Sequence, residues 1–377
     1  MAENKEKKVL NVPNLRFPEF EGEWEETRLK EISKFSKERL NSIELSCSNY
    51  VTTENMLQDY KGIVSATNLP TNTNVVKFSK GDVLLSNIRP YLKKVWYADK
   101  NGGCSADVFV FKALPICNSN FLHHVIANDR FIKFVMGGAK GVKMPRGDKE
   151  QMITYKVGLP CIEEQKKIAT LLSLLDERIS TQNKIIEDLK KLKSAISKKL
   201  LDNDRWTTYK IQDIAKIGRG RVISSVEIER QKHPLYPVYS SQTSNDGIMG
   251  YLDDYMFDGE YITWTTDGAN AGTVFYRKGK FNCTNICGTL KIQPKYDCYF
   301  VSLVLQQATQ KYVSFNLANP KLMNNIMASI KIKMPDIEMQ KQLSKIFQTL
   351  DSCLLVHQRT CDMYSREKQY LLCQMFI

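Results

Sequence analysis

Basic side chains occur in two glycine- and proline-containing stretches in the first half of the chain, residues 87–94 and 140–149. Residues 87–94 interleave arginine and lysine with tyrosine, and residues 140–149 mix glycine with lysine and arginine. Glycine lets a backbone approach a phosphate group closely, and the cations displace the counterions of the phosphates. These stretches therefore predict contacts to nucleic acid. The candidate residues are Ser86, Asn87, Arg89, Tyr91, Lys93, Lys94, Lys140, Lys143 and Arg146.

The second half of the chain has loops that are more polar and less basic. Arginine, asparagine, glutamine, serine and threonine are the side chains that hydrogen-bond to base edges, so these loops are predicted to read bases. The candidate residues are Arg219, Arg221, Ser241, Gln242, Thr243, Thr265, Thr266, Asn270, Asn319 and Lys321. Ordinary solvated surface is the alternative interpretation for each of these loops taken singly.

The sequence contains no recognisable catalytic motif. It lacks the Asn-Pro-Pro-aromatic and Asp-Pro-Pro-Tyr motifs of amino-methyltransferases and the glycine-rich phosphate loop of nucleotide hydrolases. Among the ten cysteines only Cys283 and Cys287 lie close together, and no histidine is near them. A structural zinc site needs four ligands at short spacings. We therefore predict no catalytic residue, no bound metal ion and no cofactor held by this chain.

Composition favours a folded protein with a polyanionic partner, since 42% of residues are hydrophobic and the formal net charge is +13. No apolar run approaches the roughly 18 residues of a membrane span. No signal peptide is visible, so we expect no membrane partner and a cytoplasmic location. Residues 24–159 hold 20 Lys and Arg against 13 Asp and Glu, whereas residues 206–330 hold 13 against 10. The first segment therefore carries the stronger signal for phosphate contacts.

The chain repeats itself in two places. Residues 157–176 align without a gap with residues 332–351, at an offset of 175 positions. Residues 24–34 align with residues 206–216, at an offset of 182. Two ordered matches with nearly equal offsets indicate a tandem of two units, each with a variable segment followed by a shared helix.

The shared segments carry an apolar residue every 3.5 positions over some 35 residues, which is the pattern of a coiled-coil seam. The apolar seam residues are Ile168, Leu172, Leu175, Ile179, Ile186, Leu189, Leu343, Phe347, Leu350 and Leu354. Polar residues interrupt both copies at equivalent places, Gln182 with His357 and Lys193 with Lys368. Because one chain supplies both helices, we predict that they pack on each other. An ordinary core helix pair and homodimerisation are the alternatives.

Short β-rich runs separated by glycine turns fill the variable segments, which predicts two mixed α/β globules in an α+β protein. Residues 121–136 are predicted to form one helix late in the first globule. The predicted boundaries are an N-terminal segment at 1–23, a first variable domain at 24–159, a first spacer helix at 160–201, a linker at 202–205, a second variable domain at 206–334 and a second spacer helix at 335–377.

The chain closely resembles the DNA-specificity subunit of type I restriction–modification systems. The resemblance rests on residues 12–24 and on the two copies of Leu/Met-Pro-x-Ile-Glu-x-Gln-Lys that open the long helices. Residues 81–86 and 259–263 also resemble that family's recognition domains. The resemblance covers essentially the whole chain, although the second helix, with its three cysteines, is less regular than the first.

The resemblance implies that each variable domain is a target-recognition domain that reads one half of a bipartite, asymmetric DNA site. The two spacer helices would be the family's central and C-terminal conserved regions and form an antiparallel intramolecular coiled coil with pseudo-twofold symmetry. The implied partners are double-stranded DNA, two methyltransferase subunits and two restriction/translocase subunits in a bacterial cytoplasm. S-adenosylmethionine, ATP and Mg²⁺ would bind to those partner subunits, and this chain would not be an enzyme.

A different class of function also accounts for the helices. A coiled-coil scaffold that binds other proteins without DNA is the main alternative to the DNA-reading subunit. A self-contained methyltransferase or nuclease is a third possibility, which the missing motifs disfavour.

Overall fold

The computed structural model describes residues 11–141, 143–201, 204–242, 244–314 and 319–377. The chain divides into two units. Unit 1 comprises Met1–Ile185 and His357–Ile377, and unit 2 comprises Ile186–Val356. Among the residues that the structure describes, no helix is long and apolar enough to cross a membrane.

The first variable segment folds into short strands and helices, and the first long helix follows it. The strands are β1 (Glu25–Arg28), β2 (Ser33–Phe35), β3 (Arg39–Asn41), β4 (Tyr50–Val51), β5 (Asn74–Phe78), β6 (Val83–Ser86), β7 (Val95–Tyr97), β8 (Gly102–Cys104), β9 (Val108–Ala113) and β10 (Lys156–Leu159). The helices are α1 (Leu29–Ile32), α2 (Ser119–Ile126), α3 (Asp129–Gly137), α4 (Lys149–Met152) and the long α5 (Ile162–Leu200), with 3-10 turns at Ser42–Glu44 and Pro90–Leu92.

The second variable segment and the second long helix follow in the same order. The strands are β11 (Thr207–Lys210), β12 (Ala215–Arg219), β13 (Tyr236–Tyr239), β14 (Ile248–Leu252), β15 (Glu260–Thr265), β16 (Val274–Lys278), β17 (Asn282–Cys283), β18 (Cys287–Ile292) and β19 (Lys331–Met334). The helices are α6 (Ile211–Ile214), α7 (Ser225–Glu229), α8 (Cys298–Ala308), α9 (Asn324–Ser329) and the long α10 (Ile337–Met375), with 3-10 turns at Ser244–Gly247 and Thr309–Tyr312.

The two units repeat one sheet arrangement. Unit 1 has a four-stranded antiparallel sheet of order β2-β9-β6-β7, and unit 2 has the corresponding sheet of order β12-β18-β15-β16. A two-stranded sheet, β1-β10 or β11-β19, joins the beginning of each variable segment to its end. The third sheet differs, because it has four strands (β3-β5-β8-β4) in unit 1 and three (β14-β13-β17) in unit 2. The predicted α+β tandem is confirmed.

Each unit builds its core from both long helices. Ile168 and Leu172 of α5, together with Phe376 just after α10, lie in the core of unit 1. Leu343 and Phe347 of α10 lie in the core of unit 2, together with the residue that follows α5, Leu201. Burying such large apolar side chains contributes on the order of 2 kcal/mol each. The variable segments and the helices therefore stabilise one another.

A repeated glutamine fastens each long helix to its variable segment. Gln165 accepts a hydrogen bond from the backbone N–H of Asn118 at 2.8 Å and donates to the carbonyl oxygen five residues earlier at 2.9 Å. Gln340 makes the same two bonds, to Asp297 at 3.0 Å and to the carbonyl five residues earlier at 2.8 Å. The Gln of the repeated sequence motif is thus a buried connector.

The long helices pair in an antiparallel manner within each unit. In unit 1, Asp176 meets Lys368 and Gln182 meets His357, so ascending positions on α5 face descending positions on α10. Of the ten predicted seam residues, six are buried, and Ile179, Leu189, Leu350 and Leu354 are half-buried. The two polar interruptions Gln182 and His357 face each other, with 2.7 Å between Oε1 and Nδ1.

The prediction of one helix over residues 121–136 is wrong. The structure has α2 and α3 there, separated at Ala127 and Asn128. The Asn128 side chain accepts a hydrogen bond from the backbone N–H of Arg130 at 2.9 Å and starts a new helix. Asparagine is a strong N-cap residue because its side-chain oxygen satisfies one of the free N–H groups of the first turn. The apolar pattern continues across the break, which hides the cap in the sequence.

Candidate nucleic-acid interface

Two loops of unit 1 that are distant in sequence meet at the end of strand β6. The backbone N–H of Arg89 donates to the carbonyl of Pro145 at 2.8 Å, and the N–H of Gly147 donates to the carbonyl of Asn87 at 3.2 Å. Residues 140 and 146 also exchange two backbone hydrogen bonds, which closes the second loop on itself. The structure therefore brings together the two basic stretches, residues 87–94 and 140–147, which we call reading site 1.

Five of the predicted residues of reading site 1 are exposed: Lys140, which is paired with Asp148, and the four residues described next. Arg89 has a left-handed backbone (φ of 51°), and Tyr91 is 47% exposed. Lys143 is exposed, and the Arg146 side chain is 54% exposed, with its guanidinium 3.4 Å from Asp107. These side chains are available to phosphates or bases.

The other candidates of reading site 1 have internal partners. Lys93 lies 2.8 Å from the carboxylate of Asp129, and Lys140 lies 2.7 Å from that of Asp148. Lys94 donates to the backbone carbonyl of Thr53 at 2.5 Å, and burial lowers its pKa. The buried Ser86 donates to the carbonyl of Ile88 at 3.1 Å, and the side-chain oxygen of the half-buried Asn87 is enclosed with no hydrogen-bond partner in the described part of the chain. These residues hold the loops in shape.

Unit 2 repeats the joint between the two loops with different side chains. The backbone N–H of Gly268 donates to the carbonyl of Pro320 at 3.0 Å, and the N–H of Leu322 donates to the carbonyl of Thr266 at 2.9 Å. Residues 314 and 321 exchange two backbone hydrogen bonds, as residues 140 and 146 do. Reading site 2 is the name that we give to the loops at 265–270 and 319–322. It also includes residues 219–221 and 240–242, which contact the loop at 265–270.

Pro145 and Arg146 correspond to Pro320 and Lys321 at an offset of 175, the same offset as in the long helices. The sequence patterns nominated Arg146 and Lys321 singly but did not connect them. The signal that could have connected them is a proline followed by a cation, which occurs in both units at the offset of 175. Each cation has a carboxylate nearby: the ammonium of Lys321 lies 3.6 Å from Asp267 in the facing loop, and the guanidinium of Arg146 lies 3.4 Å from Asp107.

The remaining candidates of reading site 2 are largely buried or paired. Arg219 donates to the hydroxyl of Thr266 at 3.0 Å, and Arg221 donates to Glu227 at 3.0 Å. Thr265 and Thr266 are both buried, and the Thr265 hydroxyl has no partner among the described residues. Asn319 is exposed beside the loop joint. Thr243 lies outside the described residues.

Gly220 allows two loops of reading site 2 to touch. A Cβ atom at this position would lie 2.1 Å from the carbonyl oxygen of Cys283 and 2.3 Å from that of Thr284. Both distances are far below van der Waals contact, so only glycine fits. Asn270 joins a further loop by donating to the carbonyl of Ser241 at 3.1 Å, and Gln242 donates to the carbonyl of Ile248 at 2.5 Å.

Arg277 was not among the predicted residues, yet it organises the loop of residues 240–247. Its side chain is 3% exposed, and its guanidinium stacks 3.6 Å from the ring centroid of Tyr239 and 4.5 Å from that of Phe275. It donates to the carboxylate of Asp246 at 2.7 Å and to the Asp246 carbonyl at 2.8 Å. Its position inside strand β16, outside the polar loops that were singled out, concealed this role.

Three potential metal ligands meet in unit 1, and they are the single such group among the described residues. Ligand atoms of His123, His124 and Asp176 lie within 4.8 Å of one another. The ammonium of Lys368 donates to Asp176 at 2.5 Å and takes the place of a cation there. Burial, reinforced by Lys368, lowers the pKa of His123 to about 3, and that of His124 is also lowered well below its usual value. The imidazoles are therefore neutral.

Comparison with protein families gives one match that covers most of the chain. The family described as "Type I restriction modification DNA specificity domain" matches residues 21–191 and 203–361. The putative type I specificity subunit S.MpnORF201P of Mycoplasma pneumoniae is 36% identical over 238 residues, which are 60% of this chain and 96% of that protein. The type I restriction enzyme MpnII specificity subunit of the same organism is 39% identical over 178 residues, covering 46% of this chain and 53% of that protein.

Solved structures show the same fold. A crystal structure of the S subunit of a type I restriction–modification system from M. genitalium superposes with a TM-score of 0.70 at 17% identity, covering 97% of this chain and 99% of that chain. A chain from a structural study of complex assembly and conformational transition of the type I system gives a TM-score of 0.52 at 16% identity, covering 93% and 96%.

Proposed function

The chain belongs to the type I restriction–modification DNA specificity family, and from this premise we propose that it reads a bipartite, asymmetric DNA site. Residues 24–159 read one half-site through reading site 1, and residues 206–334 read the other through reading site 2. As a specificity subunit, the chain is a non-catalytic recognition subunit, and catalysis lies on partner subunits. Family membership does not support the alternative of a coiled-coil scaffold without DNA.

The repeated joint between two loops is the observation that supports two half-sites. Both units make the same two backbone hydrogen bonds at the end of β6 or β15, and both place a cation, Arg146 or Lys321, beside the joint. Backbone bonds fix the positions of the loops, whereas side chains read bases and phosphates. Because the backbone is shared and the side chains differ, the two half-sites differ in sequence.

As a specificity subunit, the chain assembles into a type I complex that binds DNA. We infer that two methyltransferase subunits and two restriction/translocase subunits make up that complex, in a bacterial cytoplasm. S-adenosylmethionine, ATP and Mg²⁺ would be held by those partners. The spacer helices at 160–201 and 335–377 would set the gap between half-sites, since their length fixes how far apart the readers are held.

A domain exchange tests the proposal. Residues 206–330 are replaced by those of another specificity subunit, and N6-methyladenine is mapped genome-wide in a strain with the matching methyltransferase. Half of the methylated motif should change while the other half stays the same. The reciprocal exchange of residues 24–159 is the control and should change the opposite half. A change of both halves after either exchange contradicts the assignment of one half-site to each unit.

A further inference from the structure

Unit 2 contains a cleft of about 760 Å³ between the end of α5, helix α8 and strand β19. This volume is typical of a ligand site. Apolar side chains such as Leu303, Val304 and Leu354 form part of its wall, and no carboxylate lines it. Six lysines line the cleft: Lys190, Lys193, Lys198, Lys311, Lys331 and Lys333. We call this feature the lysine cleft.

Most of this charge is not neutralised. Lys193 pairs with Asp351, and Lys333 pairs with Asp204. The other four lysines are exposed and have no carboxylate partner among the described residues. Cations gathered in a cleft focus a positive potential, which raises the local concentration of anionic ligands.

The corresponding place in unit 1 is filled. At the offset of 175 that relates the long helices and the strands before them, Ser365, Cys373 and Lys156 stand where unit 2 has Lys190, Lys198 and Lys331, and Lys156 is paired with Glu26. Arg130 fills the region by donating to the carbonyl of Phe376 at 2.9 Å, and a cavity of only about 10 Å³ is left. The two units match in their four-stranded sheets β2-β9-β6-β7 and β12-β18-β15-β16, in their helix contacts and in their loop joints. The lysine cleft is therefore not a by-product of the repeated fold.

The lysine cleft is connected to reading site 2 through α8. At the end of this helix the hydroxyl of Thr309 donates to the carbonyl of Gly272 at 2.8 Å, in the loop that follows β15. Lys311 lies two residues further on. The cations of reading site 2 itself are mostly paired, Arg221 with Glu227 and Lys321 with Asp267. Within the described part of the chain, the reading loops thus keep one exposed cation without a carboxylate partner, Arg219, whereas the lysine cleft gathers four.

We propose that the lysine cleft binds the phosphate backbone of duplex DNA next to the half-site that unit 2 reads. The contact is independent of sequence, because lysine ammonium groups act as point charges on phosphates and do not discriminate bases. It supplies affinity that the paired cations of reading site 2 do not provide. This inference rests on the proposed function, since it requires unit 2 to bind DNA.

Salt dependence of DNA binding tests the proposal. The full chain with Lys190→Gln, Lys311→Gln and Lys331→Gln is compared with the wild type on a duplex of unrelated sequence. Each lost phosphate contact changes the slope of log K against log salt by about 0.9, so the slope should become less negative by about 3. The matched control carries Lys295→Gln, Lys341→Gln and Lys345→Gln, which are exposed lysines outside the cleft, and should keep the wild-type slope.

A second measurement separates the possible outcomes. In the complex with the methyltransferase, the cleft variant should methylate the same motif as the wild type, because base reading is untouched. An unchanged salt slope overturns the proposal. Normal DNA binding together with loss of methyltransferase co-purification also overturns it, because the cleft would then be a protein interface. If the wild type binds no duplex at all, the proposed function fails instead. If the triple variant melts early, the single changes at Lys190 and Lys311 replace it, each with an expected slope change of about 0.9.

Discussion

Lys193 of α5 donates to Asp351 of α10, and the residues 175 positions away, Lys368 and Asp176, form the same ion pair with the two helices exchanged. When two copies of one helix pack in an antiparallel manner, each lysine–aspartate contact across the seam occurs twice, once in each unit. The two pairs differ in their surroundings. The hydroxyl of Tyr299 also donates to Asp351, at 2.6 Å, whereas in unit 1 the imidazoles of His123 and His124 lie beside Asp176.

Removing the Asp176 carboxylate should destabilise unit 1. Lys368 is only 9% exposed, so Asp176→Ala leaves a largely buried ammonium without its counter-ion. We expect the free energy of unfolding to fall by about 2 kcal/mol, measured by denaturant titration. Adding Lys368→Met should recover most of the loss. The control Asp188→Ala breaks an exposed pair with Lys191 and should cost under about 0.5 kcal/mol. Equal losses for the Asp176 and Asp188 variants would show that the seam pair stabilises the protein no more than an exposed surface pair does.

Arg146→Ala should weaken DNA binding and make the salt slope less negative by about 1, if its guanidinium contacts a phosphate. Arg146 is half exposed at the joint of reading site 1, and Asp107 is 3.4 Å away. Lys140→Ala in the same loop is the matched control, because Lys140 is paired at 2.7 Å with Asp148. Its slope change should be smaller, as measured by fluorescence anisotropy. The opposite ranking would move the phosphate contact from Arg146 to Lys140.

Arg277→Met should relax the half-site read by unit 2 and leave the other half intact. The change removes the hydrogen bonds to Asp246 and the stacking on Tyr239, so residues 240–247 lose their support. Arg277→Lys should rescue little, since an ammonium cannot reproduce the planar, two-pronged contact. Methylome mapping gives the readout, and Arg230→Met, at an exposed arginine of the same unit, is the control. An unchanged motif with unchanged methylation efficiency argues against a positioning role for Arg277.

Unit 1 should lose stability as the pH falls from about 6.5 towards 3, because His123 and His124 stay neutral when folded and take up protons when unfolded. In this window the unfolded state binds more protons, so unfolding becomes easier as the pH falls. His124→Tyr replaces this imidazole with a side chain that stays uncharged over this pH range, and it should reduce the loss. Thermal unfolding of both proteins at about pH 7.5 and 5.5 measures the difference. Parallel pH profiles would show that His124 does not carry the effect.

Local spacing was enough to predict the tandem and the long helices. The apolar period of 3.5 residues is visible within a short window, and the repeat is found by matching two short windows that lie 175 positions apart. Together they predicted the starts of α5 and α10 to within two residues. The same reasoning failed at residues 121–136, because a cap such as Asn128 interrupts the backbone without interrupting the apolar pattern.

The sequence by itself determined the repeat and the basic stretches, since composition, periodicity and motif spacing are read along the chain, and its motifs supported the resemblance to the family. Only the tertiary structure decided which loops meet and which cations are free. Arg89 contacts Pro145, and Arg277 contacts Asp246, although the two residues of each pair lie 31 or more positions apart in the sequence. The tertiary contacts also pair Arg221 and Lys321 with carboxylates and leave four lysines of the lysine cleft without one among the described residues. Strand order sets these distances, and no local pattern encodes it.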